Sequence, residues 1–313
     1  MPDYDKLIDA ETWAFIERTN SYYPPDTIDF TIGQQRAIYD RMCRDFHAGN
    51  PAGVTAEDSA IDAADRGIPI RIYRAAAPDV GAATLYFHGG GFILGGLDSH
   101  DDVCAELCSR TGFEIVAMDY RLAPEHLHPA AFDDALAAFE WAASTYDRPI
   151  LLCGDSAGGN LAAAVSHATR GHKRRPAGQI LIYPGLGGDP SRGSYVVHAE
   201  APMLTARDLD FYRDIRTGGR DATGEINFSP LADADFSNLP PTVVVTAECD
   251  PLSSDGEAYG HRIQAAGGRA GWFEEPGLVH GYLRARHSVG RARASFSRIV
   301  EAMSSLGRGG WDW

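Results

Sequence analysis

The stretch Ile150-Leu-Leu-Cys-Gly-Asp-Ser-Ala-Gly-Gly-Asn-Leu-Ala-Ala-Ala-Val165 decides how this chain is read. Four apolar residues make a short buried strand, and Asn160 to Val165 has the small-residue composition of a tightly packed helix. Between them lies Gly154-Asp-Ser-Ala-Gly158. Small residues on both sides of Ser156 allow a turn so sharp that the serine hydroxyl stands exposed at the strand's C-terminal end. The competing reading is a glycine turn that cradles a phosphate. The spacing here fits neither G-x-G-x-x-G nor the P-loop pattern.

Outward from this turn, short apolar or β-branched runs alternate with helical stretches. The runs are 68–73, 83–87, 114–118, 149–153, 179–183, 242–246 and 271–274. Several are apolar throughout, as a strand must be when helices cover both faces of its sheet. The expectation is an α/β fold with a mostly parallel central sheet. Helices are expected at about 99–111, 130–146, 157–170, 255–267 and 282–305. Residues 1–50 read as two or three short helices, interrupted by a stiff turn at Tyr22-Tyr-Pro-Pro25. Residues 51–313 form the catalytic domain in this reading. A stretch rich in Gly, Asp and Pro at about 185–238 breaks the rhythm and is expected to be a cap insertion. The tail Gly307-Arg-Gly-Gly-Trp-Asp-Trp313 is expected to be frayed, with docking of its two tryptophans on the cap or a partner subunit as the alternative.

The 313 residues carry 28 Lys+Arg against 43 Asp+Glu, a formal net charge of -15. That balance argues against nucleic acid, which needs a surplus of basic residues on one face. It leans instead toward neutral or cationic substrates. No stretch of 18 apolar residues is present, and the N-terminus lacks the basic-then-apolar order of a signal peptide. A cytoplasmic protein without a membrane span is expected. The five cysteines read as buried thiols. Cys104 and Cys108 are one helical turn apart but lack a third and fourth ligand nearby, so no metal is expected.

A second string, His88-Gly-Gly-Gly-Phe-Ile-Leu-Gly-Gly96, follows the run at 83–87. Consecutive glycines let bare N-H groups approach a ligand, which is what a developing oxyanion requires. His88 is read as holding this loop through the backbone rather than as a base. A serine hydroxyl is a weak nucleophile, so a base and an orienting carboxylate must come later in the chain. In α/β-hydrolase order the acid precedes the histidine. Among Glu248, Asp250 and Asp255, Asp250 sits in the loop just past the run at 242–246. Asp255 lies at the start of the next helix and could equally serve its N-terminus, so Asp250 is taken as the acid. Among 11 histidines, His280 lies in a loop between the last strand and the last helix, from which it can reach the top of the sheet.

With these residues in view, the chain resembles the hormone-sensitive-lipase-like esterases of the α/β-hydrolase fold, in the branch with Asp before the serine. The motifs are His88-Gly-Gly-Gly-Phe92, Asp119-Tyr-Arg-Leu-Ala-Pro-Glu125, Gly154-Asp-Ser-Ala-Gly-Gly-Asn-Leu161, Asp250-Pro-Leu252 and His280-Gly281. The resemblance spans nearly the whole chain. It implies an α/β-hydrolase fold with a helical cap, and a triad of Ser156, Asp250 and His280. It implies an oxyanion hole built from the N-H groups of Gly90, Gly91 and Ala157. The implied activity is hydrolysis of short-chain, small-molecule esters through an acyl-enzyme, with no cofactor; a homodimer is left open. Amides, lactones and acyl transfer remain alternatives for the same nucleophile, and a non-catalytic receptor is a distant one. Ser253-Ser254-Asp255 departs from the family pattern, which has charged residues after the triad Asp.

Overall fold

The computed structural model describes residues 2–24, 27–63 and 66–313. Among these residues eight strands form one sheet: β1 (Val54–Ala63), β2 (Arg66–Ala75), β3 (Ala83–Phe87), β4 (Glu114–Met118), β5 (Ile150–Asp155), β6 (Gly178–Ile182), β7 (Thr242–Cys249) and β8 (Ala270–Val279). Their order is β1-β2-β4-β3-β5-β6-β7-β8. The two antiparallel pairings are β1 with β2 and β2 with β4, and every pairing from β4 to β8 is parallel.

Ten α-helices among the described residues accompany the sheet: α1 (Tyr4–Leu7), α2 (Ala10–Asn20), α3 (Ile32–Phe46), α4 (Asp101–Thr111), α5 (Ala130–Thr145), α6 (Ala157–Thr169), α7 (Ser194–Val197), α8 (Ala206–Thr217), α9 (Ser253–Ala265) and α10 (Gly290–Gly307). Alternate side chains of each central strand enter opposite cores. On β5, Leu151 and Cys153 join a cluster with residues of α4 and α10, whereas Ile150 and Leu152 join one with residues of α5, α6 and α9. Both faces are therefore dry, and every residue of β3, β5 and β6 is buried, the polar ones among them being Thr84, Asp155 and Gln179.

β1 is the strand missing from the sequence reading. Its sequence, Val-Thr-Ala-Glu-Asp-Ser-Ala-Ile-Asp-Ala, buries only Ile61, so no hydrophobic period marks it. Ten paired positions against β2 hold it in place at the sheet edge. The expected final helix at 282–305 is split into a 3-10 turn at Tyr282–Ala285 and α10, which starts only at Gly290. β8 runs on to Val279, past the expected end at 274.

Residues 1–50 contribute α1 to α3. α2 is capped by Asp9, whose side chain accepts from Thr12 N at 2.8 Å. α3 opens on a reciprocal capping box between Thr31 and Gln34. Of the turn expected at Tyr22 to Pro25, Pro25 lies outside the described residues. The C-terminal tail is not frayed. The Trp313 ring packs edge-on against Phe273 of β8 at 5.4 Å, and Ser305 Oγ donates to Asp312 at 2.6 Å. An aromatic surface left open on the outer strand receives the tail, a contact that no local sequence pattern announces.

Candidate active site

Ser156 sits between the end of β5 and the start of α6 with φ 53° and ψ -117°, a conformation that L-residues rarely adopt. Its neighbours make that turn sterically possible. A Cβ on Gly158 would lie 1.8 Å from the carbonyl oxygen of Phe87, so β3 and α6 approach as closely as backbones can. Strain at a single non-glycine residue held this way is characteristic of functional positions.

His280 lies just beyond β8, and Asp250 just beyond β7. His280 Nδ1 is 2.7 Å from Asp250 Oδ2, and its Nε2 is 2.9 Å from Ser156 Oγ. Asp250 is fully buried, and its second oxygen accepts from Leu252 N at 2.9 Å. An ionised carboxylate only accepts, so it fixes the Nδ1-H tautomer and leaves Nε2 to accept from the serine hydroxyl. The three residues picked out from three distant stretches of sequence thus stand in one hydrogen-bonded row.

The loop after β3 carries Gly90 at φ 127° and Gly91 at φ 61°. The N-H groups of Gly90, Gly91 and Ala157 make no hydrogen bond within the protein among the described residues. Ala157 is the first residue of α6, where backbone N-H groups are unpaired and the helix dipole favours negative charge. His88 Nδ1 lies 2.7 Å from Gly89 O, and its ring stacks on Tyr120 at 4.2 Å. Burial, reinforced by the nearby His100, pushes its pKa down to about 4. It is a neutral prop for the loop and takes no part in the Ser156, His280 and Asp250 row.

Asp255 lies apart from that row. Its Oδ2 accepts from Leu186 N at 2.6 Å, from Gly188 N at 3.3 Å and from the Tyr195 hydroxyl at 3.0 Å. It therefore holds the start of the 185–238 stretch against α9. The departure at Ser253 and Ser254 also has a structural role. Ser254 Oγ and Ser194 Oγ are 2.7 Å apart, and Ser194 Oγ donates to Pro251 O at 2.6 Å. Neutral hydroxyls here tie α7 to the loop that carries Asp250. Ser253 Oγ donates to Glu274 at 2.7 Å, extending this tie to β8.

Ser156, His280, Gly90, Gly91 and Ala157 open into a cavity of about 810 Å³. The cavity is walled by residues of α2 and α3, such as Asn20, Tyr39 and Met42, and by the 185–238 stretch, including Leu204, Leu209 and Tyr212. Phe92, Leu94, Leu204, Phe211 and Leu252 also line it, whereas Trp13, Phe15 and Tyr282 do not. Phe15 and Tyr282 are core residues, and Trp13 packs against the same core. The sequence reading missed Arg216, Arg284 and Tyr39 in the wall. An arginine in the last turn of a helix looks like an ordinary dipole partner, and nothing local marks it as buried.

All five cysteines are free and buried. No group of three or more metal-ligating side chains gathers among the described residues. No described helix is long and apolar enough to cross a membrane.

A family model described as the alpha/beta hydrolase fold matches residues 84–284. The chain is 34% identical over 248 residues to an ethyl acetate hydrolase of Pseudomonas putida, covering 75% of this chain and 78% of that protein. It is 37% identical over 253 residues to the carboxylesterase NlhH of Mycobacterium tuberculosis, covering 75% and 79%. A solved esterase structure from Pyrobaculum calidifontis superposes with a TM-score of 0.85 at 33% identity, covering 92% of this chain and 97% of that one.

Proposed function

Because this chain belongs to the hormone-sensitive-lipase-like carboxylic ester hydrolases of the α/β-hydrolase fold, we propose that it cleaves short-chain acyl esters with Ser156 as the nucleophile. The observation that carries this reading is His280, bridging Ser156 Oγ at 2.9 Å and Asp250 Oδ2 at 2.7 Å. Ser156 Oγ attacks the ester carbonyl while His280 Nε2 takes its proton. Asp250 holds the imidazole in the tautomer that can accept and stabilises the cation that forms. The carbonyl oxygen becomes an oxyanion, stabilised by the N-H groups of Gly90, Gly91 and Ala157. As the tetrahedral intermediate collapses, His280 hands the proton to the leaving alcohol. Water then attacks the acyl-enzyme by the same route in reverse, releasing the acid and restoring Ser156. These protein groups suffice for the cycle, and no cofactor enters it.

In this reading α1 to α3 and the 185–238 stretch form the cap over the catalytic domain. They wall the cavity above the nucleophile. An ethyl acetate hydrolase among the relatives supports the preference for short acyl chains. Five unpaired, buried thiols agree with a reducing, cytosolic setting. The test is an acyl-chain series of p-nitrophenyl esters, from acetate to palmitate, with wild-type and Ser156→Ala proteins side by side. The expected result is hydrolysis concentrated at the short end and lost in the variant. Wild-type turnover by Ser156→Ala sinks the mechanism, and equal rates on acetate and palmitate sink the chain-length preference.

A further inference from the structure

Three arginines and three aspartates line the cavity: Arg213, Arg216, Arg284, Asp155, Asp208 and Asp210. Five of these six have a clear charge or hydrogen-bond role. Asp210 pairs with Arg213 at 2.8 Å, and Asp208 closes the capping box of α8 with Thr205. Asp155 accepts from Tyr86 and from Gly89 N. Arg284 donates to Ser99 O at 3.1 Å and to the Tyr39 hydroxyl at 2.7 Å, and its charge faces that of Asp155.

Arg216 is the exception. It is 5% exposed, yet no carboxylate lies within ion-pairing distance among the described residues. Its guanidinium is held between two rings, 3.5 Å from the centroid of Phe92 and 4.2 Å from that of Phe228. Its one hydrogen bond among the described residues runs from Nη2 to Asn160 Oδ1 at 3.3 Å, and its buried Nε has no partner. Burial pushes the guanidinium down to about 9, which still leaves it cationic at neutral pH.

A buried cation without a carboxylate costs several kcal/mol, as an order of magnitude. Stacking on two rings recovers about 2 kcal/mol or more per desolvated contact. An apolar side chain would fill the same slot with no desolvation cost, so packing alone does not account for an arginine here. Its place in the site does. Phe92 directly follows Gly91, and Asn160 stands one helical turn beyond Ser156, its N-H donating to Ser156 O at 3.0 Å. The charge therefore stands on the wall of the cavity into which Ser156 opens, held by a ring next to the Gly91 loop and by a side chain one helical turn beyond Ser156, with its Nε unpartnered.

We propose that Arg216 is a recognition site for a carboxylate carried by the ester itself. The inference rests on the ester-hydrolase reading above and narrows its substrate class to esters bearing a second, ionised acid group. A guanidinium with unused N-H groups matches a carboxylate in planar, two-point geometry. The acidic surface, with its net charge of -15, describes the protein's exterior. The cavity wall at Arg216 has the opposite sign, so the expectation of neutral or cationic esters drawn from composition does not extend to the site.

The test compares matched substrates that differ in the charged group. On the acyl side, p-nitrophenyl hemiglutarate is set against p-nitrophenyl pentanoate. On the alcohol side, 4-acetoxybenzoate is set against 4-acetylphenyl acetate. In one arm the carboxylate substrate is expected to have roughly a tenfold or greater advantage in kcat/KM, expressed mainly in KM. The arm that shows it tells which side of the ester bears the acid. The advantage disappears in Arg216→Gln and returns in part in Arg216→Lys. If Arg216→Gln does not fold, inhibition of the wild type decides: glutarate is expected to inhibit at least tenfold more strongly than pentanamide. No carboxylate advantage in either arm, an advantage that survives in Arg216→Gln, or equal inhibition by the two small molecules overturns the proposal. Neutral esters still turned over by Ser156 in those cases would leave the ester-hydrolase reading standing.

Discussion

Gly89 N donates to Asp155 Oδ1 at 3.0 Å, so the loop that carries Gly90 and Gly91 is tied to the residue immediately before Ser156. The same carboxylate accepts from the Tyr86 hydroxyl at 2.8 Å, and His100 Nε2 lies 3.2 Å from its other oxygen. Ser156 and the Gly90-Gly91 loop follow strands β5 and β3, and this buried acid sets their spacing. Burial alone would raise its pKa, but His100, Tyr86 and the charge of Arg284 outweigh that and hold it well below the usual carboxylate range.

Asp155→Asn keeps an acceptor for Gly89 N but presents an amide to the His100 side. A shift of the loop by a fraction of an ångström is expected to lower kcat by about tenfold to 100-fold, with KM little changed. Steady-state kinetics on p-nitrophenyl acetate read this directly. Because the folded pKa of Asp155 is depressed, its contribution to stability is present above the unfolded value near 4. It is lost as pH falls toward the lower folded value. The stability gap between wild type and Asp155→Asn should therefore narrow below about pH 4, and a gap that widens there would contradict the assignment.

Asp255 should show the opposite sign. Burial pushes its carboxyl up to about 6, against the hydrogen bonds from Leu186, Gly188 and Tyr195. Between about pH 4 and pH 6 the folded state holds a proton that the unfolded state has released, so stability falls as pH rises through this window. Asp255→Asn removes that dependence. The melting temperature of the variant relative to wild type is expected to climb between pH 4 and pH 6.5, whatever its starting difference. Parallel curves across the window would show that Asp255 does not titrate there.

Asp250→Asn presents His280 with an amide, which can stabilise the wrong imidazole tautomer. A drop in kcat of about 10⁴-fold is expected, with the fold retained because the acceptor for Leu252 N survives. Circular dichroism and an ester assay on the same preparation separate the two effects. A loss smaller than about tenfold would remove Asp250 from the row.

Gly158→Ala tests the close approach of β3 and α6. The added methyl would sit 1.8 Å from Phe87 O, a backbone atom that cannot swing aside. Destabilisation of about 3 kcal/mol or more is expected, read as a lower urea midpoint or as loss of soluble protein. Wild-type stability would mean that the elbow is looser than its geometry indicates.

Much of this protein was determined by the order of its residues. Apolar runs such as Ile150 to Cys153 specify strands buried on both faces, because only a doubly covered sheet can use them. Gly154-Asp-Ser-Ala-Gly158 specifies a strained turn, because any larger side chain would collide with the neighbouring strand. The order serine, then acid, then histidine singled out Ser156, Asp250 and His280 as candidates, and the fold places them in one hydrogen-bonded row. Tertiary structure decided the rest. β1 carries no hydrophobic period and exists because its backbone pairs with β2. The C-terminal tryptophan docks because β8 leaves an aromatic face open. Arg216 looks like an ordinary helix-end charge until α8 folds over the site and removes its water. Patterns along a chain record which side chains avoid water. They do not record which charges are left without a partner once distant segments meet, because burial of Arg216 depends on α8 and Phe92 coming together in space.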